Sequence, residues 1–156
     1  MADRPLLFRL WFNQDMPSVQ ELSSRKKHTG PEKTLDVAAV KQFCHLVGNT
    51  NMAFQNDALV PMDFAIVAGW EAIMQALMGS CDADLLSLVH LSNTFKRVEE
   101  TSPLRAGDLC SASASVQSVK ISDSGKSVAV KGVVYRREAD GLVPTIEVVS
   151  SFFFRG

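Results

Sequence analysis

The chain is short of the features that settle a function quickly. Its 156 residues hold three cysteines, Cys44, Cys81 and Cys110. They are odd in number, far apart and without metal-type spacing, which argues against a disulfide framework and a zinc site. Neither a metal nor a cofactor is expected. Net charge is only −1, with 16 basic and 17 acidic residues mixed along the sequence. That balance leaves no electrostatic footprint for nucleic acid, and the one basic run, Arg25-Lys26-Lys27-His28, reads as a solvated loop. No apolar stretch approaches the roughly 20 residues that a membrane span requires. Met1-Ala2-Asp3-Arg4-Pro5 carries no apolar signal core. There is no internal repeat and no low-complexity segment. The expectation is a reduced, cytoplasmic protein with no membrane or nucleic-acid partner.

What is present is apolar side chain, at 46% of the residues, enough for one domain with a core and in a chain too short to expect two. Both ends are strongly apolar, Leu6-Leu7-Phe8-Arg9-Leu10-Trp11-Phe12 and Phe152-Phe153-Phe154-Arg155-Gly156, which fits a segment of a longer polypeptide. Residues 5–12 read as a short strand or anchor. Residues 13–34 are polar, with Pro17, Gly30 and Pro31, and read as an extended excursion. The expected division is therefore an N-terminal strand and extended segment over 1–34 and a folded unit over 35–156, one structural domain overall.

Asp36 suits a helix N-cap. Val37, Val40, Phe43, Cys44 and Val47 recur at helical spacing, and Gly48 fits the stop. A second helix is expected over about 61–78. Phe64, Ile66, Val67, Trp70, Ile73, Met74 and Leu77 alternate there with Ala65, Ala68, Ala72 and Ala76. Pro61 suits its start, Asp63 its positive end and Gly79 its stop. A helix apolar over most of its circumference is expected to be buried on most sides, and its small residues with Gly69 let strands pass close to its axis.

The remainder is β-like. Residues 86–98 form an apolar-rich run. Cys110, Ala112, Ala114 and Val116 alternate with Ser111, Ser113, Ser115 and Gln117, a strand whose small face lies against something bulky. Asp123-Ser124-Gly125-Lys126 and Asp140-Gly141 mark hairpin turns. Strands over 127–136 and 145–154 follow, the last with Ile146, Val148, Phe152 and Phe154 on one face. A long buried helix followed by antiparallel strands is an α+β arrangement, and the economical solution wraps the sheet around the helix.

Between the two helices lies Gly48-Asn49-Thr50-Asn51-Met52-Ala53-Phe54. This loop resembles that of MaoC-like (R)-specific hydratases and dehydratases, Gly-Asp-x-Asn-Pro-x-His. Gly48 and Asn51 match, whereas Asn49 replaces the acid, Met52 the proline and Phe54 the histidine. The resemblance extends over nearly the whole chain. Arg9-Leu10-Trp11-Phe12, Gly30-Pro31-Glu32, Pro61-Met62-Asp63-Phe64-Ala65-Ile66-Val67 with Gly69-Trp70, and Leu88-Val89-His90-Leu91-Ser92-Asn93 carry it. So do Pro103-Leu104 with Gly107-Asp108 and Glu147-Val148-Val149-Ser150-Ser151-Phe152. These strings resemble the dehydratase region of the β chain of fungal-type I fatty acid synthase, although Thr94 departs from a glycine in that pattern. The resemblance implies a single hotdog fold and places the segment as the unit preceding the catalytic one. It further implies two partners, a catalytic hotdog unit of the same or another chain and an acyl chain on an acyl carrier protein.

Dehydration of a 3-hydroxyacyl thioester removes an α-proton and expels hydroxide, and both steps need a group that titrates near ambient pH. A carboxamide at 49 and a phenyl at 54 supply none. The expectation is a non-catalytic unit, inactive alone, that shapes an acyl tunnel with Met52, Phe54, Phe64 and Trp70 and supports a catalytic neighbour. The alternative is a stand-alone acyl-CoA thioesterase using Glu71 or Asp63 to activate water or attack the thioester. Against it, Asp63 serves the helix terminus and Glu71 with Gln75 forms the wet stripe of the helix. His90 reads as structural, His45 and Cys44 do not share a helix face, and His28 is solvated. The apolar C-terminal strand is the candidate seam for side-by-side pairing, so an isolated copy is expected to form a homodimer.

Overall fold

The computed structural model describes residues 26–56, 58–79 and 85–156. The expected strand over 5–12, the first half of the polar excursion and Cys81 lie outside the described residues. Chain order is β1 (His28–Thr29), β2 (Lys33–Thr34), α1 (Val37–Leu46), α2 (Met52–Asn56), a single 3-10 turn (Met62–Phe64) and α3 (Ala65–Met78). A second 3-10 turn (Leu85–Ser87) precedes β3 (Leu88–Arg97), β4 (Leu109–Ser122), β5 (Gly125–Glu138) and β6 (Gly141–Arg155).

Local chemistry explains the boundaries. Asp36 accepts hydrogen bonds from the Ala38 and Ala39 amides at 3.3 Å each, the N-cap expected of it. Gly48 leaves α1 at φ +69°, the left-handed position that favours glycine at a helix end. The central helix begins one 3-10 turn later than its apolar pattern, with Pro61 in extended conformation before Met62. Two-residue turns join β4 to β5 and β5 to β6, so those strands run right up to Gly125 and Gly141. A Cβ at Gly125 would strike the Phe154 carbonyl, and its φ of +143° excludes other residues as well.

The strands form one antiparallel sheet in the order β1-β4-β5-β6-β3, with β2 also on β4. The sheet wraps α3, the α+β hotdog arrangement the sequence implied. Ala72, Ile73, Ala76 and Leu77 are fully buried against Ala112, Ala114, Val130, Val134 and Val148. The small residues of α3 and β4 set the spacing. The Gly69 backbone lies where a Cβ would be only 3.7 Å from Val134 and 3.9 Å from Ala112, and a Cβ at Gly132 would sit 3.1 Å from Ile73.

Three expectations are corrected. Residues 28–34 are not an excursion outside the folded unit: His28 pairs with Ala114 and Lys33 with Cys110 on the edge of β4. No structural break falls at residue 34. Ser111 and Ser113, expected on an open face, are buried, so β4 is covered on both sides. Above it Tyr135 accepts from Ser113 and Lys27, and Arg137 pairs with Glu32. The C-terminal strand is not the seam, because β6 lies between β5 and β3 and the open edge is β3. Its apolarity comes from having two neighbours and a helix to pack against. The exposed side of α3 is the one near β3, where Val67 is 52% and Trp70 41% exposed.

Candidate functional site: the degenerate loop and its cavity

The loop that follows α1 is built by its two asparagines. The Asn49 amide donates to the Cys44 carbonyl at 2.8 Å, closing the helix end. The Asn49 side-chain oxygen accepts from the Asn51 amide at 3.1 Å, and that of Asn51 accepts from the Ala53 amide at 3.0 Å. Both carboxamides are thus engaged in shaping backbone, and Asn51 caps α2. Met52 at the first position of α2 is 62% exposed. Phe54, two residues on and so on the opposite side of α2, is half-buried and packs against the core.

Phe54 forms part of the wall of a cavity of about 230 Å³. Leu59, Val60 and Met62 continue that wall, and Pro103 and Leu104 face it. The two segments are tied together: the Val60 amide donates to Leu104 O at 2.9 Å and the Ala106 amide to Ala58 O at 2.7 Å. Thr145 and Ile146 at the start of β6 complete the lining with Ser102 and Arg97, the two polar groups besides Thr145. The Thr145 hydroxyl is turned away, donating to Val134 O at 2.8 Å. Phe54 also lines a second, smaller cavity of about 100 Å³ with Val37, Val40 and Ala58, so its ring stands between the two.

The residues expected to line an acyl groove are not gathered there. Only Phe54 is. Met52 points to solvent, and Phe64 is buried edge-on to Phe43 with ring centres 5.3 Å apart. Trp70 lies by the open sheet edge, 6.0 Å from His90 and 6.5 Å from Phe152. Glu71 is tied to Lys33 by a 2.8 Å ion pair on the exposed side of α3. Asp63 sits in the first turn of the central helical segment, and neither acid lines the cavity. Leu59, Val60, Arg97, Leu104 and Thr145 went unmarked in the sequence. No sequence pattern joins them, since they come from four separate segments that only the fold brings together.

The histidines have local explanations. His90 stacks on Phe152 at 4.9 Å, and its Nε2 is 3.0 Å from the Asn93 side-chain oxygen, which also accepts from Ser150 at 2.7 Å. An amide oxygen only accepts, so Nε2 carries the proton. His45 is in the exposed last turn of α1, while Cys44 beside it is fully buried. His28 is held below its ordinary value of 6.5 by burial and then by Lys26. The Cys110 thiol is pushed up to about 12, first by burial and next by Asp108, with Arg136 opposing. Such a thiol is inert. Among the described residues no group of three or more His, Cys, Asp or Glu is placed to hold a metal, and no helix is long and apolar enough to cross a membrane.

Residues 26–141 match the family model described as FAS1-like, dehydratase domain region. The chain belongs to that family. It is 45% identical over 152 residues to fatty acid synthase subunit beta of Schizosaccharomyces pombe, covering 94% of this chain. It is 38% identical over 158 residues to the same subunit of Saccharomyces cerevisiae, covering 98%. The chain spans 7% of each of those relatives. In fold it is similar to the 3R-hydroxyacyl-ACP dehydratase complex HadBC of Mycobacterium tuberculosis, with a TM-score of 0.65 at 16% identity over 82% of this chain and 94% of that one. A MaoC-like dehydratase gives a TM-score of 0.65 at 13% identity, over 86% of this chain and 43% of that one.

For this member of the FAS1-like dehydratase region, the chemistry open to the loop is limited. Phe54 presents carbon to the cavity, and Asn49 presents an amide that is already bonded. The cavity, open on one side, can hold aliphatic groups. It has one cation at its lining, and no acid or imidazole.

Proposed function

We propose that this chain is a non-catalytic hotdog unit of a 3-hydroxyacyl-[acyl-carrier-protein] dehydratase in fatty acid synthesis. Its work is to bound an acyl tunnel and to support an adjacent catalytic hotdog. The observation that carries this reading is Phe54 on the cavity wall at the loop position where MaoC-like sequences have histidine. A positioned acid–base group contributes about 10²–10⁴-fold to such a reaction, and here that position offers a ring that takes up no proton. What remains is apolar surface, worth about 0.8 kcal/mol per buried methylene of an acyl chain.

The partner reading is supported by the open edge. Among the described residues no strand pairs with the outer side of β3 along its ten residues, and beside it Leu91 is 58%, Val67 52% and Trp70 41% exposed. A strand and an apolar helix face from a second hotdog unit would satisfy both. In the parent synthase that neighbour is the catalytic unit, and in isolation it is a second copy of this chain.

The test is turnover. The purified chain, mixed with 3-hydroxybutyryl or crotonyl thioesters, is expected to show no interconversion above the buffer rate. Turnover that disappears when residues 49 to 54 are altered would overturn the proposal. Thioester hydrolysis abolished by Glu71→Ala or Asp63→Asn would instead establish the thioesterase alternative.

A further inference from the structure

Arg97 is an exposed residue at the end of β3 whose register nevertheless places it on the core-facing side of the sheet. Directly opposed residues in an antiparallel pair point to the same face. In β3, Phe95 opposes Val148 and Arg97 opposes Ile146, and both partners on β6 are buried core residues. Arg97 therefore lies on the inner face, where it lines the cavity beside Ser102. No carboxylate among the described residues is ion-paired with it, whereas Arg136 has Glu138 and Arg137 has Glu32. Glu99 and Glu100 are exposed in the turn just beyond β3. An apolar cavity ending at an unpaired guanidinium is complementary to an aliphatic chain ending in an anion.

We infer that this cavity binds a medium-chain carboxylate, its tail against Phe54, Met62, Leu104 and Ile146 and its head on Arg97. The inference rests on reading the cavity as an acyl-chain site and adds the class of the polar end, an anion in place of a neutral thioester. A cavity of about 230 Å³ suits an aliphatic chain of medium length, and octanoate is the probe. Phe54, standing between this cavity and the smaller one behind it, sets the length limit. The competing account is that Arg97 merely guards an open sheet edge, since inward-pointing charges on edge strands deter pairing.

The experiment is calorimetric titration of the chain with octanoate, octan-1-ol and S-octanoyl-N-acetylcysteamine, with thermal unfolding run alongside. Octanoate is expected to bind ~10-fold more tightly than either neutral ligand, the yield of one charge-assisted hydrogen bond. Rising ionic strength should erode that preference and leave octanol unchanged. Arg97→Leu should bring octanoate down to the level of octanol, and Arg97→Lys should keep part of the preference. Phe54→Ala should shift the best-bound carboxylate to a longer chain. Equal binding of acid and alcohol by the unaltered chain would overturn the anionic end while leaving the acyl tunnel standing. Binding of none of the three would overturn the ligand site altogether, and the turnover assay would still judge the inert loop separately. An Arg97→Leu variant that self-associates more strongly yet keeps its octanoate preference would assign Arg97 to edge protection and overturn the inference.

Discussion

On one side of the molecule β4 is flanked by β1 and β2, and its alanines meet the glycine and alanine face of α3 with almost no space between. On the other side β3 ends the sheet, and the aromatic and branched residues near it, Trp70, Val67 and Leu91, stand partly in solvent. The two sides use opposite chemistry for the same helix. Small residues let backbone approach backbone where the fold is complete. Large residues stand at the side where β3 ends the described sheet. Substitutions on the first side should cost stability, and on the second association.

Ile73→Ala is expected to show the largest effect. Ile73 is fully buried and touches the space above Gly132. Truncation of such a side chain costs about 3 kcal/mol, a fall in Tm of roughly 10 °C for a chain of this size. Trp70→Ala removes a larger side chain and should cost the monomer under ~1 kcal/mol, because a surface site loses less packing. Thermal unfolding of both at low concentration makes the comparison, and a Trp70 loss as large as that at Ile73 would erase the distinction between the sides.

Leu91→Glu comes next. Leu91 protrudes at the register shift between His90 and Ser92 on the open edge. A charge there should weaken self-association at least ~10-fold with the monomer's Tm unchanged. Sedimentation over a range of concentrations reads this, and a chain that stays monomeric at all of them has no second copy on that edge. Asp36→Ala is a smaller probe, away from both sides. It removes two hydrogen bonds to the first turn of α1 and should cost about 1 kcal/mol.

The parts of this fold legible in the sequence are those with a local cause. Asp36, Gly48 and the Asp123–Gly125 turn are where their neighbours in sequence dictate, and alternation in 110–116 correctly separated the alanine face. Strand order is not local. The pattern Ile146, Val148, Phe152, Phe154 says that one face is buried but not which strands lie alongside, so the most apolar strand was read as the seam when it is interior. The buried serines of β4 escaped for the same reason, since a strand reads as half-exposed until one knows that residues 28–34 cross its edge. The site divides similarly. The missing acid and histidine are visible in seven consecutive residues, whereas the cavity is assembled from residues 54–62, 97, 102–104 and 145–146. Arg97 acquires its meaning only from the register with Ile146.

The smallest effect tests the closed side through pH. His28, on β1, lies against the end of α3, where a Cβ on Gly79 would be 3.0 Å from its ring. Burial, aided by Lys26, holds its pKa below 6.5 in the fold. In the unfolded chain the imidazole takes up its proton near 6.5, the ordinary value. As pH falls through that value, the unfolded state therefore binds more protons than the native state, and stability declines. The decline ends below the lowered native pKa, where both states are protonated, and above about 6.5 the group contributes no slope. His28→Gln should flatten the slope of Tm against pH just below 6.5 and leave Tm near neutrality unchanged. A slope left unchanged by His28→Gln would mean that this ring is not desolvated where β1 meets the end of α3.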